Sequence, residues 1–429
     1  MLETQKFLTA SLSSHPQGHA AARILASALN AVEPGTAVKR YLEDNPLPPF
    51  SRVFSFGLGK AACAMTSAAS DCTSLTDSLI ITKHAVALTL QPATVIEGDH
   101  PIPGRGSLAA GDAAVKFISQ LTKDDLLLCL ISGGGSALMT APRIPLADLQ
   151  SLTSSLLACG ARIDEVNTLR RHLDHLKGGG LAKLAGSRGA AVVSLLLSDV
   201  VNDSMEAIAS GPTVPDQTTC TDARTIIEKY HLTDRIPESI IPALTETAKP
   251  EDPIFERVHN SIIASNEIAL QAAQKQAEQE GFFATVMRRG VQGEASGIGL
   301  EMAKLLKESA KKMQRPFCLL AGGETTVTIK GIGKGGRNQE LALAAVEELA
   351  GVENVMLITL ATDGEDGPTN AAGAVVTGKT AQRAEQLGLS AADYLSRNDA
   401  HTYFDRLGDL IRIGPSGTNV NDLIICLAF

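Results

Sequence analysis

A glycine-rich segment that leads into an arginine is the part of the sequence best suited to anion chemistry. Within Leu319–Leu343, Arg337 begins a helix-like apolar periodicity, and four glycines precede it within six positions: Gly331, Gly333, Gly335 and Gly336. Glycine lets the backbone approach a ligand closely, and a helix start turns free N–H groups toward it. Because the helix dipole disfavours a cation at its N-terminus, Arg337 predicts a bound anion, above all a phosphate. Gly335, Gly336 and Asn338 are its candidate contacts.

The turn after the predicted strand Arg52–Phe56 offers a second cation. Gly57, Gly59 and Lys60 belong to a G-x-G-x-x-A pattern between a strand and a helix, which is the form of a dinucleotide-binding fingerprint. That fingerprint also requires an acid at the end of the next strand, where residues 82–84 read TKH. Lys60 therefore indicates a phosphate or carboxylate contact; a solvated surface lysine is the alternative.

Two hydroxyls flank a glycine turn after the apolar run Asp125–Ile131. The turn consists of Ser132, Gly133, Gly134, Gly135 and Ser136. Successive backbone N–H groups in such a turn form a nest that binds oxyanions, although the residue order is not that of a P-loop. The sequence therefore predicts an oxyanion site, with a tight structural turn as the alternative.

A carboxylate follows the apolar run Ala191–Leu197 in a similar way. Asp199 lies two residues past this run, and Asn202 and Asp203 come shortly after it. Ligands of open α/β sheets bind beyond the carboxyl ends of the strands. Asp199 is thus a candidate general base for an alcohol or a candidate Mg²⁺ ligand, with Asp203 as a second ligand. The alternative is that Asp199 or Asn202 caps a following helix.

Polar loops also follow the predicted strands of the second half. Gly323 and Glu324 end one apolar run, Asp363 begins an acidic glycine loop at 363–367, and Asn419 lies in a polar loop before the last strand. Clustered carboxylates indicate a hard-cation site or ribose contacts, although the spacing is not that of an EF-hand. An exposed acidic turn is the alternative.

A basic helix end, Leu169–Leu173, runs into the glycines of 177–180. It could contact phosphate or a partner, although charge runs of this kind are more often solvated. His172 and His175 lie three residues apart, but no paired Cys or His elsewhere in the sequence supports a zinc site.

The elements that must position these residues alternate between apolar strands and helices. Continuous apolar strands separated by helices predict a parallel sheet that is covered on both faces, as in a Rossmann-like doubly wound α/β domain. With 429 residues, two domains are expected. We predict an N-terminal domain at 1–245, a Pro-interrupted charged linker at 246–257 and a second α/β domain at 258–429, with a strand at Thr325–Lys330.

Composition narrows the function classes. The net charge of −9, with 3% aromatic residues and no Trp, argues against a nucleic-acid binder. Seven cysteines without C-x-x-C spacing indicate buried reduced thiols. No signal peptide or membrane span is indicated, so the cytoplasm is the simplest compartment, although an organellar extension could be absent from this sequence.

Taken together, these loops resemble the class II glycerate kinases, the glycerate 2-kinase family, with an N-terminal α/β domain and a C-terminal MOFRL domain at about 315–425. Eight collinear pieces between residues 57 and 422 carry the resemblance: GLGKAA, GDHPIPGRGS, LISGGGSAL, LSDVVNDSMEAIASGPTVPD, AGGETTV, GKGGRNQE, TDGEDGPTNAAGA and GTNVND. One departure is the run KGGG at 177–180, where the family pattern has a bulkier residue at position 180.

The resemblance implies ATP-dependent phosphorylation of D-glycerate at its 2-hydroxyl, giving 2-phosphoglycerate, with Mg²⁺. It carries catalytic roles to Lys60, Asp199 and Arg337, which agrees with the cations and the carboxylate that phosphoryl transfer needs. We expect a cleft between the domains that closes on the substrate and excludes water. The expected partners are D-glycerate and ATP, with a homodimer left open.

Two other functions remain open from the residues alone. An NAD(P)H-dependent hydroxypyruvate reductase would use the G-x-G-x-x-A turn, with Lys83 accepting an NADP phosphate. The missing acid after the second strand and the phosphate-like loops of the second half argue against it. A sensor of sugar acids or nucleotides would bind without turnover, which the combination of Lys60, Asp199 and Arg337 disfavours.

Overall fold

Six strands form the first sheet of the computed structural model, which describes residues 2–86 and 89–429. They are β1 Arg52–Leu58, β2 Asp77–Thr82, β3 Thr94–Glu97, β4 Asp125–Ile131, β5 Ala191–Leu197 and β6 Val258–Ala264. Their order is β3-β2-β1-β4-β5-β6, and the pairs from β3 to β5 are parallel. This is the strand order of a doubly wound dinucleotide-binding sheet, so the predicted Rossmann-like fold is confirmed.

The second sheet is mixed. Its strands are β7 Phe283–Val291, β8 Phe317–Gly323, β9 Val355–Ala361, β10 Gly373–Thr377, β11 Leu410–Ile411 and β12 Asp422–Ala428. They lie in the order β11-β10-β9-β12-β8-β7. The last strand, β12, pairs antiparallel with both β8 and β9, whereas β7 and β8 are parallel. The predicted second α/β domain is thereby confirmed.

Helices connect the strands of both sheets. Their bounds are α1 Ala10–Ser14, α2 Gly18–Ala31, α3 Pro34–Asp44, α4 Ala62–Cys72, α5 Arg105–Ser119, α6 Gly135–Leu138, α7 Leu146–Ala158, α8 Ile163–His172, α9 Gly180–Ser187, α10 Cys220–Lys229, α11 Ile240–Ala243, α12 Asn266–Gln279, α13 Ala295–Lys312, α14 Arg337–Leu349, α15 Thr380–Gln386, α16 Ala391–Ser396 and α17 Ala400–Leu407. Short 3₁₀ turns lie at Thr4–Phe7, Ile208–Ser210 and Pro253–Arg257. Among the described residues, no helix has the length and apolarity needed to cross a bilayer.

Apolar strands explain why helices cover both faces of the first sheet. All seven residues of β4 are buried, as expected of a parallel strand inside a doubly wound sheet. On one face, Leu127 belongs to a core cluster with Ile118 of α5 and Leu181 of α9. On the other face, Ile80 of β2 packs against Ala62 of α4. The carboxyl ends of the strands are thus left for polar loops.

The chain divides into units that differ from the predicted domains. One unit comprises Pro34–Ile263, and the other joins Met1–Glu33 to Ala264–Phe429. The first 33 residues therefore belong with the second sheet, whereas the sequence assigned them to the first. The physical reason is a long-range contact: the backbone N–H and hydroxyl of Ser11 donate to the buried carboxylate of Asp409, at 2.7 and 2.8 Å.

The segment predicted as a linker, 246–257, is packed within the Pro34–Ile263 unit. The N–H of Ala248 donates to the carbonyl of Gly178 at 3.3 Å, and the Ala248 carbonyl accepts from the N–H of Asp216 at 2.9 Å. Charge and proline content suggested exposure, but these main-chain bonds hold the segment against its own unit.

The predicted strand Thr325–Lys330 is wrong. Thr326 makes only an isolated bridge with Glu294. Farther along, the N–H groups of Lys330 and Gly331 donate to the side chain of Asn398, at 2.7 and 3.0 Å, and not to a neighbouring strand. The side chain of Asn398, 68 residues from Lys330 in sequence, thus accepts the main-chain hydrogen bond that a neighbouring strand would have accepted.

The contact between Ser11 and Asp409 should contribute to the stability of the unit that contains the second sheet. Asp409 is fully buried and also accepts from Arg383 Nη1 at 2.6 Å. Asp409→Asn should lower the free energy of unfolding by about 2–4 kcal/mol, because it weakens a buried ionic network. The measurement is urea unfolding, together with proteolysis within residues 1–33.

Asp405→Asn is the matched control, because Asp405 is exposed and pairs with the surface residue Arg412. Equal stability losses in the two variants would contradict the assignment of the first 33 residues to this unit.

Candidate active site

Three loops meet at the carboxyl ends of neighbouring strands in the first sheet. Strand register brings the ends level, because Leu58 of β1 aligns with Ile131 of β4, and Ile131 aligns with Leu196 of β5. The chain order reverses between β1 and β4, which makes this edge a topological switch point, the usual ligand site of such sheets.

Main-chain hydrogen bonds join the first two loops. The N–H of Lys60 donates to the carbonyl of Gly133 at 3.0 Å, and the N–H of Ala61 donates to Ser132 Oγ at 3.0 Å. Among the described residues, the N–H groups of Gly133 and Gly134 donate to no partner. The turn therefore has the unoccupied donors that an oxyanion nest requires.

The carboxylate of Asp199 lies directly against this turn. A Cβ placed on Gly133 would lie 2.0 Å from Asp199 Oδ2, so only glycine allows this approach. A Cβ on Gly134 would lie 3.4 Å from Cγ of the exposed Lys60. A carboxylate and a lysine thus flank the same two glycines, as phosphoryl transfer to an alcohol requires.

The loop after β5 is held in a rare backbone conformation. Four of its non-glycine residues have positive φ: Asn202 (72°), Asp203 (54°), Ala209 (51°) and Ser210 (61°). Such conformations cost free energy and cluster at functional sites. The helical turn that follows Asp199 begins after Ala207 without a side-chain cap, so the capping alternative for Asp199 and Asn202 is excluded.

His100 is a site residue that the sequence reasoning missed. Its Cδ2 would lie 3.5 Å from a Cβ on Gly134, on the side of Lys60. Burial, reinforced by the charges of Lys60 and Lys83, lowers the pKa of His100. The piece GDHPIPGRGS contains this histidine, and its place after β3 was the available signal.

In the other unit, the start of α14 does hold an anion, but the anion is the protein's own. The buried carboxylate of Asp366 accepts from the N–H groups of Asn338 and Gln339 at 3.0 and 2.8 Å. Burial raises the pKa of Asp366, against the opposing effect of these bonds. The predicted phosphate at these two N–H groups is therefore corrected to a carboxylate.

Arg337 is likewise paired with carboxylates. Its Nε and Nη2 donate to Asp422 at 2.5 and 3.0 Å, and its Nη1 donates to Glu324 at 2.7 Å. Burial raises the pKa of Asp422 to about 6, although Arg337 opposes the shift. Burial alone would lower the pKa of Arg337, but the bond to Asp422 and the nearby carboxylates raise it. The positive charge of Arg337, which the helix dipole disfavours at this position, is therefore compensated by carboxylates of the same unit.

The remaining predicted residues of this unit lie at the same edge of its sheet. Gly323 aligns with Asp422 at the start of β12, and Asp363 follows β9, the other neighbour of β12. Asn419 precedes β12, and its Oδ1 accepts from the N–H of Asn421 at 3.1 Å. The predicted set is brought together, although its ligand is not fixed by these contacts.

Comparison with known proteins bears on both units. Residues 20–245 match a family described as a domain of unknown function (DUF4147), and residues 317–422 match the MOFRL family. A relative from Pyrococcus horikoshii named glycerate 2-kinase is 38% identical over 94% of this chain and 96% of its own. The chain belongs to the glycerate 2-kinase family.

A solved structure and a further relative extend the comparison. The crystal structure of glycerate kinase from Thermotoga maritima superposes with a TM-score of 0.90 at 37% identity, covering 96% of this chain and 99% of that one. A relative from Agrobacterium vitis, 36% identical over 94% of this chain and 92% of its own, has a provisional name as a hydroxypyruvate reductase.

The glycine at position 180, where the resemblance leads us to expect a bulkier residue, has a local structural basis. A Cβ on Gly180 would lie 2.2 Å from the carbonyl oxygen of His175. In this chain the turn before α9 is therefore too tight for the bulkier residue of the family pattern.

His172, at the basic helix end, lies beside two other side chains of the kinds that bind metals, and only the fold brings the three together. Ligand atoms of His172, Cys220 and Glu246 lie within 4.8 Å of one another. Each has a protein contact, since His172 Nδ1 bonds the Thr245 carbonyl at 2.9 Å and Glu246 accepts from the N–H of Cys220 at 2.8 Å. His175 is not part of this group.

The glycines before α14 make a prediction that separates packing from ligand binding. A Cβ on Gly336 would lie 2.4 Å from the backbone of Asp366, whereas the nearest atom to a Cβ on Gly335 is 3.4 Å away. Gly336→Ala should therefore lower stability by about 1–3 kcal/mol through overpacking. Gly335→Ala should change it little, and thermal unfolding of both variants measures the difference.

A ligand role for these glycines would give a different result. If Gly335→Ala and Gly336→Ala left stability alike but both raised the KM for nucleotide, the packing explanation would be wrong.

Proposed function

We propose that this family member transfers the γ-phosphoryl group of ATP to the 2-hydroxyl of D-glycerate. The observation that carries the proposal is the meeting of Lys60, the open glycine turn and Asp199 at one switch point. Relatives named glycerate kinase support the reaction, and the name of the relative from Pyrococcus horikoshii supports the 2-hydroxyl.

Charge stabilisation at the phosphates is assigned to the first two loops. Phosphoryl transfer needs donors and cations around the transferred group more than covalent chemistry. The free N–H groups of Gly133 and Gly134 bind phosphate oxygens, and the Lys60 ammonium neutralises charge beside them. Ser132 holds the two loops together through its bond with Ala61.

Asp199 is assigned to the acceptor hydroxyl. A carboxylate within hydrogen-bond reach of the alcohol orients it and accepts its proton as the new bond forms. Asp199 and Asp203 also offer the oxygen ligands that Mg²⁺ prefers, and one or two carboxylates suffice when phosphates complete the shell. Such an ion would supply positive charge to the phosphate oxygens. The hydroxyl role and the ion-binding role are both proposals.

Arg337 is assigned an auxiliary role. Three of its five N–H groups are taken by Asp422 and Glu324, which fix the plane of the guanidinium and leave two donors for an anion. The nucleotide contacts proposed for Glu324, Asp363 and Asn419 belong to the same sheet edge. A homodimer and a cytoplasmic location stay predictions.

The reaction and its regiochemistry can be tested together. Wild-type protein with ATP, Mg²⁺ and D-glycerate should generate phosphoenolpyruvate when only enolase is added, because enolase consumes 2-phosphoglycerate directly. A signal that requires phosphoglycerate mutase would place the phosphate on the 3-hydroxyl. Oxidation of NADH with hydroxypyruvate, without ADP formation from glycerate, would support the reductase instead.

Two substitutions test the assigned roles. Asp199→Asn should lower kcat about 10²–10⁴-fold through loss of the carboxylate, and Lys60→Met about 10²–10³-fold through loss of a charge-stabilising group. Circular dichroism should show an unchanged fold. Lys116→Met is the control, since Lys116 is an exposed lysine on α5 of the same unit. Near-normal turnover in Lys60→Met or Asp199→Asn would remove that residue from the mechanism.

A further inference from the structure

A half-buried guanidinium close to the glycine turn is not matched by a carboxylate. Arg170 lies on α8, and its Nε is buried without a hydrogen-bond partner. Among the described residues, no carboxylate forms an ion pair with it. Because a buried polar nitrogen without a hydrogen-bond partner costs free energy, such a group is rarely retained for packing alone.

The neighbouring charges do not compensate Arg170. The buried carboxylate of Asp174 is taken by the ammonium of Lys177 at 2.9 Å and by the hydroxyl of Thr140 at 2.6 Å. Burial lowers the pKa of Lys177, Asp174 opposes this, and the charge of Arg170 lowers it further. Two cations thus share the surroundings of one carboxylate, which leaves positive charge for an outside anion.

Arg170 adjoins the site through the end of the glycine turn. It lines a cavity of about 10 Å³ with Ser136 and Thr140, room for roughly one water-sized atom. The hydroxyls of Ser136 and Ser210 are 2.7 Å apart, and Ser210 Oγ donates to Asn167 Oδ1 at 3.4 Å. Asn167 and Arg170 are three residues apart on one face of α8. Hydroxyls and an amide of the same unit therefore lie close to the end of the turn and to the guanidinium.

We propose that Arg170 binds the carboxylate of the acceptor substrate. The inference rests on the proposed function, and it names the residue that recognises the acid. Arginine presents a planar pair of donors that matches a carboxylate. In a 2-hydroxy acid, the carboxylate carbon is attached to the carbon that bears the reacting oxygen. The protein groups that bind the carboxylate and the reacting hydroxyl should therefore lie close together. Ser136, beside Arg170, and Gly133, beside Asp199, belong to one turn.

The test compares Arg170→Gln with wild type on D-glycerate and on D-glyceramide, in which a neutral amide replaces the carboxylate. The KM for D-glycerate should rise about 10- to 100-fold, as expected for loss of a charge-assisted contact. The KM for ATP should stay within about 2-fold, since the phosphates bind elsewhere. The preference of wild type for the acid over the amide should largely disappear, which a purely structural role would not produce.

Two further variants test whether the effect comes from the planar donor pair of Arg170. Arg170→Lys keeps the charge but loses the planar donor pair, so it should retain part of the preference for the acid, even if Arg170→Gln folds poorly. Arg188→Gln is the control, because Arg188 is an exposed arginine of the same unit at the end of α9 and does not line this cavity. It should leave both KM values and the preference unchanged.

Some outcomes would overturn the inference. A rise in the KM for ATP with an unchanged KM for D-glycerate would make Arg170 a phosphate ligand. An unchanged preference for the acid in folded Arg170→Gln and Arg170→Lys would remove it from recognition. If wild type does not phosphorylate D-glycerate, calorimetry separates the two proposals. Binding of D-glycerate that is lost in Arg170→Gln would keep this inference while the proposed function fails, and no binding by wild type would overturn both.

Discussion

The candidate active site depends on the contact between the main chain at Gly133 and the carboxylate of Asp199. A single methyl group at position 133 would overlap with Asp199 Oδ2 at 2.0 Å, so the two loops approach as closely as a polypeptide allows. The contact is possible because β1, β4 and β5 are parallel neighbours whose ends are level. It places a carboxylate against a turn with free N–H groups and an adjacent lysine.

The parts of the fold predicted from sequence are those in which burial is local to one strand. The apolar run Asp125–Ile131 matches β4, because a strand covered on both faces must be apolar throughout. The strand β7 was missed, since four of its nine residues are exposed and it contains two arginines. Asp199 was predicted for the same reason as β4: a polar residue just after a buried parallel strand lies at the ligand edge.

The sequence did not predict which groups pair with a charged or polar group when the two are distant along the chain. The helix dipole correctly flagged an anion at the start of α14, but Asp366 lies 28 residues from Asn338, and Asp422 lies 85 residues from Arg337. A local pattern cannot distinguish a carboxylate supplied by another loop from a bound phosphate, since both satisfy the same N–H groups. The same limit applies to Ser11, whose acceptor is 398 residues away. These pairs come together only when the unit that contains the second sheet folds.

The cations of the candidate sites differ in how far nearby carboxylates neutralise their charge. Arg337 is accompanied by Asp422 and Glu324, so this cluster is negative overall when both carboxylates are ionised. Such a cation orients a ligand through its remaining donors but attracts an anion weakly over distance. Lys60 and Arg170 have no ion pair among the described residues, so their charge is available to phosphates and to a carboxylate. The uncompensated positive charge that we propose to attract the substrate therefore lies in the unit with the parallel sheet.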